Sequence, residues 1–317
     1  MRPAFSVIFL TTLIGAAQGL FLALYLAELA ARFGWIAGVS GAFYAAGSAL
    51  VVVLMMLGLV ASIFHLGRPE RGWRAAARWR TSWLSREIIV LPLFTAGAFF
   101  YGLAHWLLPA ESAARITAPL GAATAVLAVA LYVCTAMIYA CLKFLQEWAT
   151  PLTVVNYTLL GLASGFTLAA AYAAFAAPAL IGLFGPCALA LTGVAVLTRG
   201  ASLVRNARLK PRSTLQTAIG IKHPRIVQKS MGMMGGAFNT REFFHGRTRA
   251  ALRAVKWLFL LLVFPIPAAL LAVGLVQGSA LLLAAAFALQ YLGLLAERWF
   301  FFAQANHPQN LYYQSVA

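Results

Sequence analysis

The stretch that decides the fold comes first: AFSVIFLTTLIGAAQGLFLALYL, Ala4 to Leu26, carries no charge and a single amide, Gln18. An α-helix rises about 1.5 Å per residue, so about 20 mostly apolar residues cross the hydrocarbon core of a bilayer. This run is too long for the apolar core of a signal peptide and shows no evident cleavage site, so it reads as a retained span. It extends to residue 27, and seven comparable runs follow, over 37–63, 86–108, 117–142, 151–175, 178–198, 255–276 and 279–301. The expectation is an all-α integral membrane protein, a bundle of eight transmembrane helices formed as one domain over 1–317, with longer connections at about 64–85 and 199–254.

Composition gives the same answer. Of 317 residues, 62% are apolar and 10% charged, where a soluble domain carries about 25% charged residues. The mean hydropathy is +0.85. Every one of the seven acidic residues is a glutamate, set against 24 lysines and arginines for a net charge of +17. In a soluble chain that balance points to nucleic acid. Here the basic residues flank apolar runs, which points to lipid headgroups or an acidic partner. All eight tryptophans fall at a run's end or in a connection, the belt expected of amphipathic rings at headgroup depth.

Charge also orients the chain. Connections alternate between the two faces, and only Arg32 and Arg115 of the 24 basic residues fall on the sparse one. Lys and Arg stay in the cytoplasm, so both termini are expected there. Pro3, Pro151 and Pro178 stand at run starts, where a missing N–H costs nothing. Pro92, Pro265 and Pro267 lie inside runs and should kink them. Cys134, Cys141 and Cys187 have no metal-ligand spacing, and the first and last fall in apolar runs as small core residues.

Two connections carry most of the chemistry. The first reads His65-Leu-Gly-Arg68-Pro-Glu70-Arg71-Gly-Trp73-Arg74, then Arg78-Trp79-Arg80-Thr-Ser-Trp83-Leu-Ser85-Arg86-Glu87. Arg71, Arg74 and Arg78 have the spacing of one α-helical face, as in a short helix lying at the interface. The arginines would snorkel to headgroups or meet a partner. His65 closes the second run and Glu87 opens the third, which brings two ionisable groups to one depth. Such groups are functional candidates and are usually paired; histidine passes protons near neutral pH. A structural His–Glu or Glu–Arg pair is the plain alternative. In the second connection, Met231 to Gly236 is rich in glycine but lacks the spacing and the Lys-Ser/Thr of a phosphate-binding loop. Asn239, Arg241, Glu242 and His245 then stand among phenylalanines, as suits a loop docked on another protein. Inside the runs, Gln18 beside Gly15 and Gly19 is a candidate pocket residue; Asn156 and Gln290 are expected to bond between helices.

Haem is not expected. Two histidines at one depth would be needed, but His65 and His105 end successive runs at opposite faces, about 30 Å apart across the bilayer. A transporter would place acids or broken helices at the midplane, and no glutamate falls there. A purely structural anchor needs no ligand pocket.

At His65-Leu-Gly-Arg-Pro and Trp79-Arg-Thr-Ser-Trp-Leu-Ser-Arg-Glu87 the sequence resembles the membrane anchor subunits of dimethyl sulfoxide reductase, within the broader NrfD-like family. Lys143-Phe-Leu-Gln-Glu147-Trp148 supports the likeness, and Phe238-Asn-Thr-Arg-Glu-Phe-Phe-His245 is more similar to the anchors of sulfite dehydrogenases. The resemblance implies a complex of three parts: a molybdopterin catalytic subunit, a ferredoxin-like iron–sulfur subunit, and an anchor that exchanges electrons with membrane quinone. It carries the quinone site onto His65 and Glu87, with Arg68, Arg86 and Gln18 as further candidates. Arg71, Arg74, Arg78, Asn239, Arg241, Glu242 and His245 are expected to dock the partner, and no haem or metal is expected in this chain. Sulfite oxidation with quinone reduction is the expected direction; a DMSO-type reductase oxidising menaquinol is the alternative.

Overall fold

The computed structural model describes residues 1–64, 66–227 and 244–308. The chain runs α1 (Phe5–Arg32), α2 (Gly41–Ile63), a 3₁₀ helix (Pro69–Arg78), α3 (Trp83–Leu107), α4 (Ala110–Ala140) and α5 (Pro151–Ala176). A 3₁₀ turn (Pro178–Leu180) then leads into α6 (Ile181–Ala207), followed by α7 (Leu215–Ile219), α8 (Arg249–Val263), α9 (Pro265–Gln277) and α10 (Ala280–Ala303). Among the described residues eight segments are long and apolar enough to cross a membrane, α8 and α9 together forming the seventh. The protein is a multi-pass membrane protein. Large apolar side chains such as Val53, Leu57, Val60, Phe99, Phe100 and Val126 face outward along the spans, as lipid requires.

The spans alternate in direction. The near end of the bundle holds the start of α1 and the longer connections; the far end holds short turns. The near end is closed by the Met1 ammonium, which donates to the Ala305 carbonyl at 2.7 Å. Helices α1 to α4 pack in sequence with α4 returning to α1, and α5, α6, α8–α9 and α10 form a second group of four. The two groups meet mainly where α1 crosses α5, and these are the most buried spans, 67% and 61% against 33% for the flanking α2 and α3. Four glycines, Gly15 and Gly19 against Gly161 and Gly165, permit that crossing. A Cβ on Gly165 would stand 2.3 Å from Gly19 Cα, and one on Gly19 would stand 2.6 Å from the Gly161 carbonyl oxygen. Small residues four apart let helix backbones approach in lipid, where dispersion and not water-driven burial holds helices together.

Proline acts as expected in the seventh span. Phe264 sits at φ −113°, ψ −80°, and separates α8 from α9 at Pro265. Pro267 has no N–H to offer the Val263 carbonyl, and Gln290 Nε2 of α10 donates to that oxygen instead, at 3.3 Å. Asn156 likewise bonds between helices, accepting from Thr198 at 2.9 Å. Pro92 lies inside a continuous α3. At the last hairpin Gly278 takes φ +63°, the left-handed conformation that ends α9, and Ser279 caps α10.

Two expectations need correction, and a third gains detail. Helix α6 continues beyond residue 198 to Ala207, and α8 begins at Arg249, so helix extends into both ends of the stretch 199–254. Charges at 199 and 205 read as the membrane edge, but helix and membrane do not end together. Residues 69–78 are 3₁₀ and not α-helical. At 3.0 residues per turn Arg71 and Arg74 share a face while Arg78 turns away by about 120°. Cys134 is buried as expected, but Cys187 is only half-buried.

Candidate functional site

Glu87 lies in the second turn of α3, whose start is capped by Ser82 accepting from the Ser85 N–H at 3.4 Å. That geometry turns Glu87 inward and Arg86 outward. Glu87 is 6% exposed, and its Oε1 accepts from the Thr135 hydroxyl of α4 at 2.5 Å. Among the described residues no Lys, Arg or His nitrogen forms an ion pair with it. His65, its expected companion, lies outside the described residues. Arg86 stacks on Trp83 at 4.2 Å and donates to the Trp79 and Arg80 carbonyls, both at 2.9 Å, so it fastens the 3₁₀ segment to α3. Arg68 is exposed.

Thr135 also borders a cavity of about 20 Å³ lined by α1, α4, α5 and α10. Gln18 lines it too, as its place in the first run suggested, and Gln18 Oε1 is buried without a hydrogen-bond partner. The structure therefore brings two predicted residues, Glu87 and Gln18, to one region through Thr135. A volume of this size holds a water molecule, not a quinone ring. Any larger ligand meets Glu87 from outside this cavity.

A cluster absent from the sequence-based candidates borders the same cavity. Arg298 lines it, and its guanidinium lies 3.5 Å from the Tyr157 ring centroid. Glu297 stands between two cations, with Oε1 2.7 Å from Arg199 Nε and Oε2 3.3 Å from Arg298 Nη1. All three are at most 4% exposed. Two guanidiniums against one carboxylate leave a positive charge inside the bundle, an arrangement that costs several kcal/mol of desolvation per ion unless function or further partners offset it. Sequence position hid the cluster, because charges near a run's end read as membrane-edge residues.

The remaining predicted docking residues are spread over the near end. Arg71 is exposed, 3.9 Å from Glu70; Arg74 lies over Trp73 at 5.5 Å; Arg78 is exposed. His245 borders a cleft with Arg2, Phe5, Arg247 and Trp299 and accepts from the Arg247 N–H at 3.0 Å. Burial first, then the N-terminal ammonium, holds its imidazole below the usual histidine range. Asn239, Arg241 and Glu242 lie outside the described residues.

A second buried carboxylate sits at the far end. Glu28 of α1 accepts from Tyr101 at 2.6 Å, Thr117 at 2.5 Å and Arg32 at 2.7 Å, and His105 Nε2 is 3.8 Å away. Tyr44 stacks on His105 at 4.5 Å. The sequence placed Glu28 and His105 at one face without joining them.

Among the described residues no group of three or more His, Cys, Asp or Glu could hold a metal ion. Fold and site define a class: a polytopic membrane protein with buried polar and charged groups gathered inside the bundle. Within that class the chain belongs to the DMSO reductase anchor subunit family, membrane anchors of an oxidoreductase complex; the family model, DMSO reductase anchor subunit (DmsC), matches residues 1–220. It is 54% identical to a subunit of the sulfite dehydrogenase of Allochromatium vinosum, over 100% of both chains.

Proposed function

We propose that this chain is the membrane anchor and quinone-reactive subunit of a molybdopterin oxidoreductase complex. It would pass electrons between the iron–sulfur clusters of a ferredoxin-like partner and membrane quinone, in sulfite oxidation. Similarity over the full length to a sulfite dehydrogenase subunit favours sulfite as the donor over the reverse, DMSO-type reaction. The whole chain, 1–317, acts as a single eight-helix anchor domain. The basic asymmetry of the connections supports cytoplasmic termini in a bacterial inner membrane and a partner docked on that face. Docking falls to Arg71, Arg74, Arg78, Asn239, Arg241, Glu242 and His245, where positive charge suits an acidic partner.

One observation carries the site: among the described residues Glu87, buried at the near end, is held by a single neutral donor, Thr135. A carboxylate fixed this lightly can change its charge without breaking the packing around it. With His65 it would exchange protons with the quinone oxygens, while Arg68 and Arg86 complete the site and Gln18 supports it from the cavity behind Thr135. Quinone supplies the two-electron, two-proton chemistry when bound. In the assembled complex, Glu87→Gln and His65→Arg should each lower quinone-linked turnover by about 100-fold or more, the scale of a lost general acid–base group. Activity with a soluble dye, which bypasses the anchor, should persist. Quinone-linked turnover that survives both changes would remove the pair from the site.

A further inference from the structure

The cavity beside Thr135 has a hydrogen-bonding balance of its own. Most of its hydroxyls are already committed to carbonyls: Thr11 donates to Val7 at 2.9 Å, Thr12 to Ile8 at 2.9 Å, Tyr132 to Gly15 at 2.7 Å and Ser164 to Gly161 at 3.0 Å. Thr135 gives its only proton to Glu87, which leaves its oxygen lone pairs as acceptors. Gln18 Oε1 is a second buried acceptor and has no hydrogen-bond partner among the described residues. On the donor side stand the Tyr157 hydroxyl, also buried and making no hydrogen bond of good geometry among the described residues, and the Arg298 guanidinium. Two acceptors and two donors therefore converge on about 20 Å³. That volume takes one water, and a buried water needs two to four polar partners.

We propose that this cavity is a built site for one water molecule, which joins Arg298 to Glu87 through Thr135. The water donates to Gln18 Oε1 and Thr135 Oγ1 and accepts from Arg298 and Tyr157. Its donation to Thr135 leaves that hydroxyl one direction for its proton, toward Glu87. Arg298 is held in turn by Glu297, the Tyr157 ring and, through Glu297, Arg199. Thr135, Gln18 and Arg298 are thus positioning residues for Glu87. The two Arg–Glu contacts gain a purpose beyond anchoring α6 to α10: they set a fixed cation one water and one hydroxyl away from the acid. Other titratable groups that feel the charge of Glu87 are Cys134 and Tyr139 of α4 and Tyr157 of α5; Arg86 of its own helix acts on Cys134.

The link between this water and turnover rests on Glu87 serving the quinone reaction; the water site itself does not. Two measurements on the whole complex keep them apart. A density map of the complex at a resolution that shows water should contain one ordered peak within hydrogen-bond distance of Gln18 Oε1, Thr135 Oγ1 and Arg298. A cavity without that peak overturns the site, whatever the turnover data show. For the coupling, Thr135→Val keeps the shape and removes the hydroxyl, while Thr135→Ser restores it. The valine variant should lose about tenfold or more in quinone-linked turnover, within the range of a proton-transfer group, and should shift the pH profile. The serine variant should recover both. A valine variant with the wild-type profile, beside a Glu87→Gln variant that is inactive with quinone, refutes the relay and leaves the quinone site standing. A Glu87→Gln variant with full turnover refutes the quinone site, and the density peak then stands or falls alone.

Discussion

Glu28 and Glu87 are both buried in spans, each 6% exposed, yet their surroundings are opposite. Glu28 receives Tyr101, Thr117 and Arg32, with His105 beside it, so four side chains from α1, α3 and α4 converge on it. Among the described residues Glu87 receives one hydroxyl. A fully donated carboxylate ties helices together and keeps its charge; a lightly held one leaves its charge open to chemistry. Burial alone would have ranked the two equally as functional candidates. Among the described residues the donor count separates a clasp at the far end from the acid proposed to work at the near end.

The widest break in this comparison is one that destroys both regions at once. Helix α1 carries Gln18 and Glu28, and its crossing with α5 depends on Gly19 meeting Gly165. Gly165→Val must push the two backbones apart and has no flexible side chain to displace. The expected result is loss of the folded bundle, seen as no monodisperse chain after extraction into detergent. A variant that extracts and assembles normally would show that the crossing does not hold the two halves together.

A narrower break uses the acids themselves. Glu28→Gln removes the charge that Arg32 meets and the best acceptor for Tyr101 and Thr117. It should lower stability by about 2–4 kcal/mol, the cost of stripping a buried charged partner from its donors. Quinone-linked turnover per assembled complex should stay near wild type. Glu87→Gln should do the reverse, keeping the melting temperature and losing turnover. If Glu28→Gln loses turnover while the bundle keeps its stability, the far-end cluster is chemical and not a clasp.

The sequence shows the spans because membrane crossing needs length and apolarity, which are local properties; all eight runs correspond to helices long enough to cross. Gln18 was visible for the same reason, as one amide in an apolar run. Arg199, Glu297 and Arg298 were not, since a charge near the end of an apolar run has two explanations and only helix rotation decides between them. The pairing of Glu28 with His105 was hidden because it depends on how α1 and α3 face each other, and neither helix's pattern fixes that. The α1–α5 crossing was half visible: Gly15 and Gly19 stood out, but their partners Gly161 and Gly165 are legible as such only once the helices touch.

The smallest expected effect is an absence, and it tests whether the two acids are connected. Between Gln18 and Glu28 the inward face of α1 is Leu20, Phe21, Ala23, Leu24 and Ala27, each fully buried. Phe21 packs edge-on to Phe94 at 5.6 Å and to Tyr101 at 5.3 Å, which fills the space between α1 and α3. The hydroxyls nearby are turned away from one another. Thr124 donates to Leu120 at 2.8 Å, Thr167 to Ala163 at 2.8 Å and Tyr25 to Ala118 at 3.0 Å, all to backbone carbonyls. Among the described residues no run of ionisable side chains bridges this plug. If electrons enter at the near end and Glu87 trades protons with the same side, neither charge nor protons need to cross the membrane. Turnover in sealed proteoliposomes with the complex in one orientation, supplied with sulfite and quinone, should therefore build no membrane potential. A potential that rises with turnover and collapses with an ionophore would mean that the far-end acid communicates with the near-end one, and the division between clasp and working acid would fail.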